Sequence, residues 1–158
     1  MNERYEPSSE FLRAAIAEEV PFTGSDFARL NFRRLIEMTR DQDLSNRDWA
    51  TLLLAQQDID TPEVREALLI AAHDEHGEVR AEALSGLAQR DKALALPLVI
   101  AELSGERACM PLFEAAETIA DPSLVPYLTP WTEPSDNAFL DNLALEALAA
   151  CKNGKPVS

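Results

Sequence analysis

Asp41-Gln42-Asp43-Leu44-Ser45-Asn46-Arg47-Asp48-Trp49-Ala50-Thr51-Leu52-Leu53-Leu54-Ala55 is followed, one period later, by Asp74-Glu75-His76-Gly77-Glu78-Val79-Arg80-Ala81-Glu82-Ala83-Leu84-Ser85-Gly86-Leu87-Ala88. Both stretches place an Asp, an Arg, an Ala and a Leu-Ala pair at identical offsets. The core of the pattern, Ala-x-x-x-(Leu/Ile)-Ala, recurs at Ala115, Ile119, Ala120 and at Ala144, Leu148, Ala149. A period near 30 residues is the mark of stacked helical hairpins. The small Ala lets one helix approach the next, and the Leu or Ile one turn on fills the gap.

The remaining chain reads as helix punctuated by caps. Ala, Leu and Glu dominate, only 5 of the 158 residues are Gly, and β-branched runs are absent. Ser8-Ser9 can cap a first amphipathic helix bearing Phe11, Leu12, Ala15 and Ile16. Pro21 to Gly24 breaks it. Ser25 can cap a second helix carrying Phe27, Leu30, Leu35 and Met38. Ser45 to Asp48 resembles a capping box that opens a third. Thr61-Pro62 starts a fourth, with Pro in the first turn where its missing N–H is harmless. A fifth spans about 78–90. Pro97 and Pro126 sit early in later short helices.

At Asp74, Arg80, Ala83, Leu87 and Ala88, and again at Asp41, Arg47, Ala50, Leu54 and Ala55, the chain resembles the second half of a HEAT repeat, close to the HEAT-like repeats of phycobilin lyases. Ala95-Leu96-Pro97-Leu98 and Leu124-Val125-Pro126-Tyr127-Leu128 resemble first helices of the same family. The resemblance covers residues 27 to 150. It implies an all-α fold: a right-handed α-solenoid of about four helical hairpins (25–57, 61–90, 91–121 and 122–152) behind a capping helix at 8–24, in one domain of 1–158. It implies that Asp41, Arg47, Asp74 and Arg80 pair in a ladder along the stack. Leu112 and Asp141 stand where the third and fourth repeats should have Arg, so the ladder is expected to stop half-way. These repeats serve mainly as scaffolds, so the resemblance speaks to fold more than to function.

The helical period then locates a free face. With the repeat Ala as zero, positions −3, 0, +1 and +4 point into the stack, and positions −5, −1, +2 and +6 point away. The second helices of such repeats usually line the concave surface. The free positions there give an acidic centre (Glu78, Glu82, Glu114 and Glu117) with apolar ends (Trp49 and Leu52; Phe139 and Leu143), and Ser85, Met110 and Glu146 lie on the same face. Such a face can bind a basic protein, with carboxylates steering and aromatics anchoring. Glutamates on an exposed helix can equally serve solubility alone, and terminal apolar residues can be covered by caps.

Charge narrows the partners. The chain has 28 acidic and 14 basic residues, a formal charge of -14 and a pI near 4.4. Partners held by their phosphates, nucleic acids above all, are repelled, and so are anionic membranes. No basic start and apolar run opens the chain at Met1 to Pro7, and no stretch is long enough to span a bilayer, so a cytoplasmic location is expected. Cys109 and Cys151 form no CxxC pattern and are expected to be reduced. His73-Asp74-Glu75-His76 gathers metal-ligand types without the spacing of a HExxH helix, so no metal site is expected. Nucleophile elbows and phosphate-cradling glycine loops are missing, and no cofactor is implied.

The expectation is therefore a non-enzymatic interaction module. An immunity protein that masks a basic nuclease-type toxin is a sharper version. HEAT-like enzymes, bilin lyases and DNA glycosylases, form the competing class, but a glycosylase needs a basic groove and this one reads as acidic. Ala83→Leu should overpack the stack and lower stability by about 1–3 kcal/mol in chemical denaturation. Unchanged stability would place Ala83 outside the stack.

Overall fold

A computed structural model describes residues 6–156, and every regular element among them is helical. The reading of the N-terminal heptapeptide therefore falls mostly on residues 1–5, outside the described residues. The order is α1 (Glu10–Ile16), α2 (Asp26–Met38), α3 (Leu44–Gln56), α4 (Pro62–Ala71), α5 (Gly77–Arg90), α6 (Lys92–Leu103), α7 (Met110–Ile119), α8 (Val125–Leu128) and α9 (Ala138–Asn153). Short 3-10 turns, Pro122–Leu124 and Thr129–Thr132, flank α8.

The caps explain most boundaries. Ser9, Ser25, Thr61, Asp91 and Asn137 each accept a backbone N–H from the first turn of their helix. The expected start of α3 needs correction. Asp43 caps it, accepting from the Asn46 N–H at 3.2 Å, and Ser45 lies inside the helix. Asn46 serves a different end: it accepts the Ser9 N–H at 3.0 Å and donates to Ser8 Oγ, which ties α1 to α3. The expected N-terminal helix also shrinks. It stops at Ile16, and Glu18 takes a left-handed conformation soon after.

The helices pack as successive pairs, α2 with α3, α4 with α5, α6 with α7 and α8 with α9. The second member of each pair also packs on its neighbours, so α3, α5, α7 and α9 form one continuous row, with α1 against α3. The repeat alanines Ala50, Ala83, Ala115 and Ala144 are all fully buried in that row. Leu54, Leu68, Leu84, Leu87 and Leu112 fill the space between rows, each worth roughly 1.5–3 kcal/mol of transfer free energy. One close approach is at Gly86 of α5. A Cβ there would lie 2.8 Å from Ala55 Cβ and 3.1 Å from Ala55 Cα on α3.

The final pair departs from the others. Three prolines, Pro122, Pro126 and Pro130, break its first member into turns and one short helix. Trp131 closes the gap, donating from Nε1 to the Leu103 carbonyl at 2.9 Å and meeting Phe113 edge-on. On α9, Leu145 is 48% exposed and Ala149 is exposed, although their counterparts Leu84 and Ala88 are buried. No further helix packs on that flank among the described residues. Phe27 and Leu30 of α2 are 67% and 60% exposed, while Ala28 and Leu35 are buried. One other expectation about faces fails. Ala150 was assigned to the free face and is buried, because α9 turns it toward the stack.

The two cysteines are free thiols. Cys151 is buried between α7 and α9, its Sγ 3.6 Å from the Ala116 carbonyl. Desolvation pushes its thiol up to about 11. Burial, then the neighbouring Glu78, pushes Cys109 up to about 12.

Two outcomes follow from this packing. Gly86→Val should destabilise the fold by about 1–3 kcal/mol in urea unfolding, since a small gain in helix propensity cannot offset a clash with the α3 backbone. Equal stability would mean that α3 and α5 are not in contact there. Both thiols should react slowly with iodoacetamide at pH 8 in the folded protein and rapidly in denaturant, because the thiolate is the nucleophile. Fast native labelling of Cys109 would contradict its burial.

Candidate functional site

The row of second helices carries the candidate face. In the turn that opens each helix, Ser45 is half-buried, Glu78 exposed, Met110 40% exposed and Phe139 62% exposed. One turn further on, Trp49 and Leu143 are half-buried against the core, and Glu114 is exposed. Beyond these, Leu52, Ser85 and Glu117 are half-buried and Glu146 is exposed. Ser85, Gln89, Lys92, Glu114, Glu117, Thr118 and Pro156 line one open depression of about 370 Å³.

Glu82 is the correction. It was assigned to the open acidic centre, yet only 5% of its surface is accessible. It belongs to α5, which is flanked by α3 and α7, so its level in the row is walled on both sides. The accessible carboxylates are thus Glu78, Glu114, Glu117 and Glu146. Among the described residues none of the four makes an ion pair. Partial desolvation, and after it the neighbouring Glu117, raises the Glu114 carboxyl above its ordinary value.

The arginines lie elsewhere. Arg47 reaches Asp74 across the repeat boundary at 2.9 Å and also donates to the carbonyls of Asp41 and Gln42. Arg80 repeats the arrangement one period on, donating to the carbonyls of Asp74 and Glu75, but its carboxylate partner is Glu102 at 2.8 Å. The next repeat has Glu106 at the offset of the turn Asp, but Glu106 is exposed, and Glu102 at the end of α6 takes the arginine instead. The Asp41 carboxylate accepts from Asn46 and from the Asp43 N–H.

Two further arginines were not singled out from the sequence. Arg65 bridges Asp60 at 2.8 Å and Asp91 at 2.9 Å, and its hydrogen bond holds Asp60 below the usual carboxylate range. Arg90 ends α5 and donates to the carbonyls of Ala55, Ile59 and Gly86, closing the C-terminal end of α3. Burial lowers its guanidinium from the ordinary value. The signal for Arg90 was weak, since it follows the repeat motif and has Gln57 as its counterpart.

The histidines build no metal centre. His73 Nδ1 lies 2.8 Å from the Leu69 carbonyl, and His76 caps α5 with its backbone while its ring sits 3.7 Å from Glu75. Among the described residues no group of three metal-ligating side chains converges. No helix there is long and apolar enough to cross a membrane.

No family model matches the chain. Protein YibA of Escherichia coli K12, and its counterpart in strain O157:H7, are each 26% identical over 114 residues, which is 72% of this chain and 41% of theirs. The chain thus spans under half the length of the curated relatives it matches. The crystal structure of YibA from Escherichia coli aligns with a TM-score of 0.59 at 22% identity, over 89% of this chain and 54% of that one. The likeness is one of fold: all-α, built from packed helices.

Proposed function

We propose that the chain is a HEAT-like right-handed α-solenoid, with hairpins at 25–57, 61–90, 91–121 and 122–152, and that it works in the cytoplasm as a non-enzymatic protein-interaction module. The row α3, α5, α7, α9 is its concave face, and a basic protein is its partner. The pairing of successive helices and the repeated Arg47 and Arg80 geometry support the repeat reading. One observation carries the function. From residue 41 to 103 every arginine is engaged by a carboxylate or a cluster of carbonyls, whereas among the described residues Glu78, Glu114, Glu117 and Glu146, exposed or half-buried, form no ion pair.

A face of one sign steers an oppositely charged partner and fixes its orientation more than it sets raw affinity. The net charge of the chain adds to this steering and disfavours nucleic acid. Trp49 and Leu143 lie half-buried at either end of the face and would contribute at its margins.

Titration with a fluorescent dodecalysine peptide tests the reading. Binding should be measurable at low salt and weaken as salt rises. The double variant Glu114→Lys, Glu117→Lys should bind about tenfold more weakly, with its melting temperature little changed because both side chains lie outside the core. Glu82 is left intact because reversing a buried charge would test folding instead. No binding at low salt, or equal binding by the double variant, would overturn the proposal.

A further inference from the structure

Met110 and Phe139 are the large exposed apolar side chains on the row of second helices that point away from the stack. They occupy equivalent positions of adjacent repeats, in the opening turns of α7 and α9, which pack directly on each other. Seven residues further along each helix stands a carboxylate, Glu117 on α7 and Glu146 on α9. That separation is about 10 Å at the helical rise. The two helices therefore present the same two-part surface twice: an apolar end, then an acidic end. Phe27 on α2 is also exposed, but the charges beside it, Glu10, Glu19 and Arg34, are of both signs and select no single occupant.

Building on the proposed function, we infer that the α7–α9 face docks a basic segment that carries an aliphatic or aromatic side chain about 10 Å from its lysines or arginines. The apolar side chain seats on Met110 and Phe139. The cations reach Glu114, Glu117 and Glu146. The charge complementarity follows from the uncompensated carboxylates. The anchor follows from two apolar side chains left in water on a chain that buries most of its others. A purely polycationic partner would leave Met110 and Phe139 uncovered.

The test uses two synthetic helical peptides of equal length and equal lysine content. One carries leucines one or two turns from its lysines, and the other carries glutamines at those places. Calorimetric titration of the intact protein should find the leucine peptide bound about tenfold more tightly or better. The double variant Met110→Ser, Phe139→Ser should remove that preference and leave the glutamine peptide's affinity unchanged. Its thermal unfolding reports the fold independently. Equal affinity for the two peptides, or a preference that survives the double variant, overturns the anchor while the acidic-face reading stands. Failure of both peptides to bind overturns both.

Discussion

The short distance between neighbouring second helices is the constraint on which the rest of the structure depends. Ala50, Ala83, Ala115 and Ala144 are buried where these helices meet, and Gly86 lies so near α3 that a methyl group would collide with Ala55. Small residues allow that approach, and dispersion between closely packed backbones rewards it. The consequences run outward. The row becomes continuous, the first helices sit on one side of it, and whatever projects from the other side is repeated at each period. The composition of that repeated face then becomes a property of the whole molecule.

Charge is sorted by the same geometry. Each junction between pairs brings backbone carbonyls and turn carboxylates together, and an arginine answers them: Arg47 at Asp74, Arg80 at Glu102, Arg65 at Asp60 and Asp91, Arg90 at the end of α3. Pairs as enclosed as Arg47 with Asp74 fix the angle between repeats more than they add net stability. Arg47, Arg65, Arg80 and Arg90 are thereby committed to the junctions. Among the described residues Glu78, Glu114, Glu117 and Glu146 form no ion pair, and partial burial makes Glu114 harder to ionise than an ordinary glutamate. A cation placed there would relieve that unfavourable environment.

Much of this was legible in the sequence because the period and the caps are local signals. Ser9, Ser25 and Thr61 begin helices where their types suggest, and the four alanines are buried where the register puts them. The failures come from neighbours that a single helix does not reveal. Glu82 looks free on a helical wheel, yet α3 and α7 wall it in. Glu102 pairs with Arg80 across 22 residues although Glu106 stands at the turn offset, a choice the period alone does not reveal. Asp43 outcompeted Ser45 for the α3 cap because Asp, Asn and Ser are near-equal caps and the turn geometry chose between them. Within the candidate face, the residue types were readable, whereas the degree of exposure was not.

The central claim is that the row of second helices, and not the outer layer, is the working surface. Backbone amide shifts followed by NMR, as the basic leucine-bearing peptide is added to isotopically labelled protein, test it most directly. The account predicts perturbations clustered at Glu78, Met110, Glu114, Glu117, Phe139 and Glu146, with α2, α4 and α6 unmoved. Perturbations centred on Phe27 and Leu30, or spread evenly over the acidic surface, would contradict it.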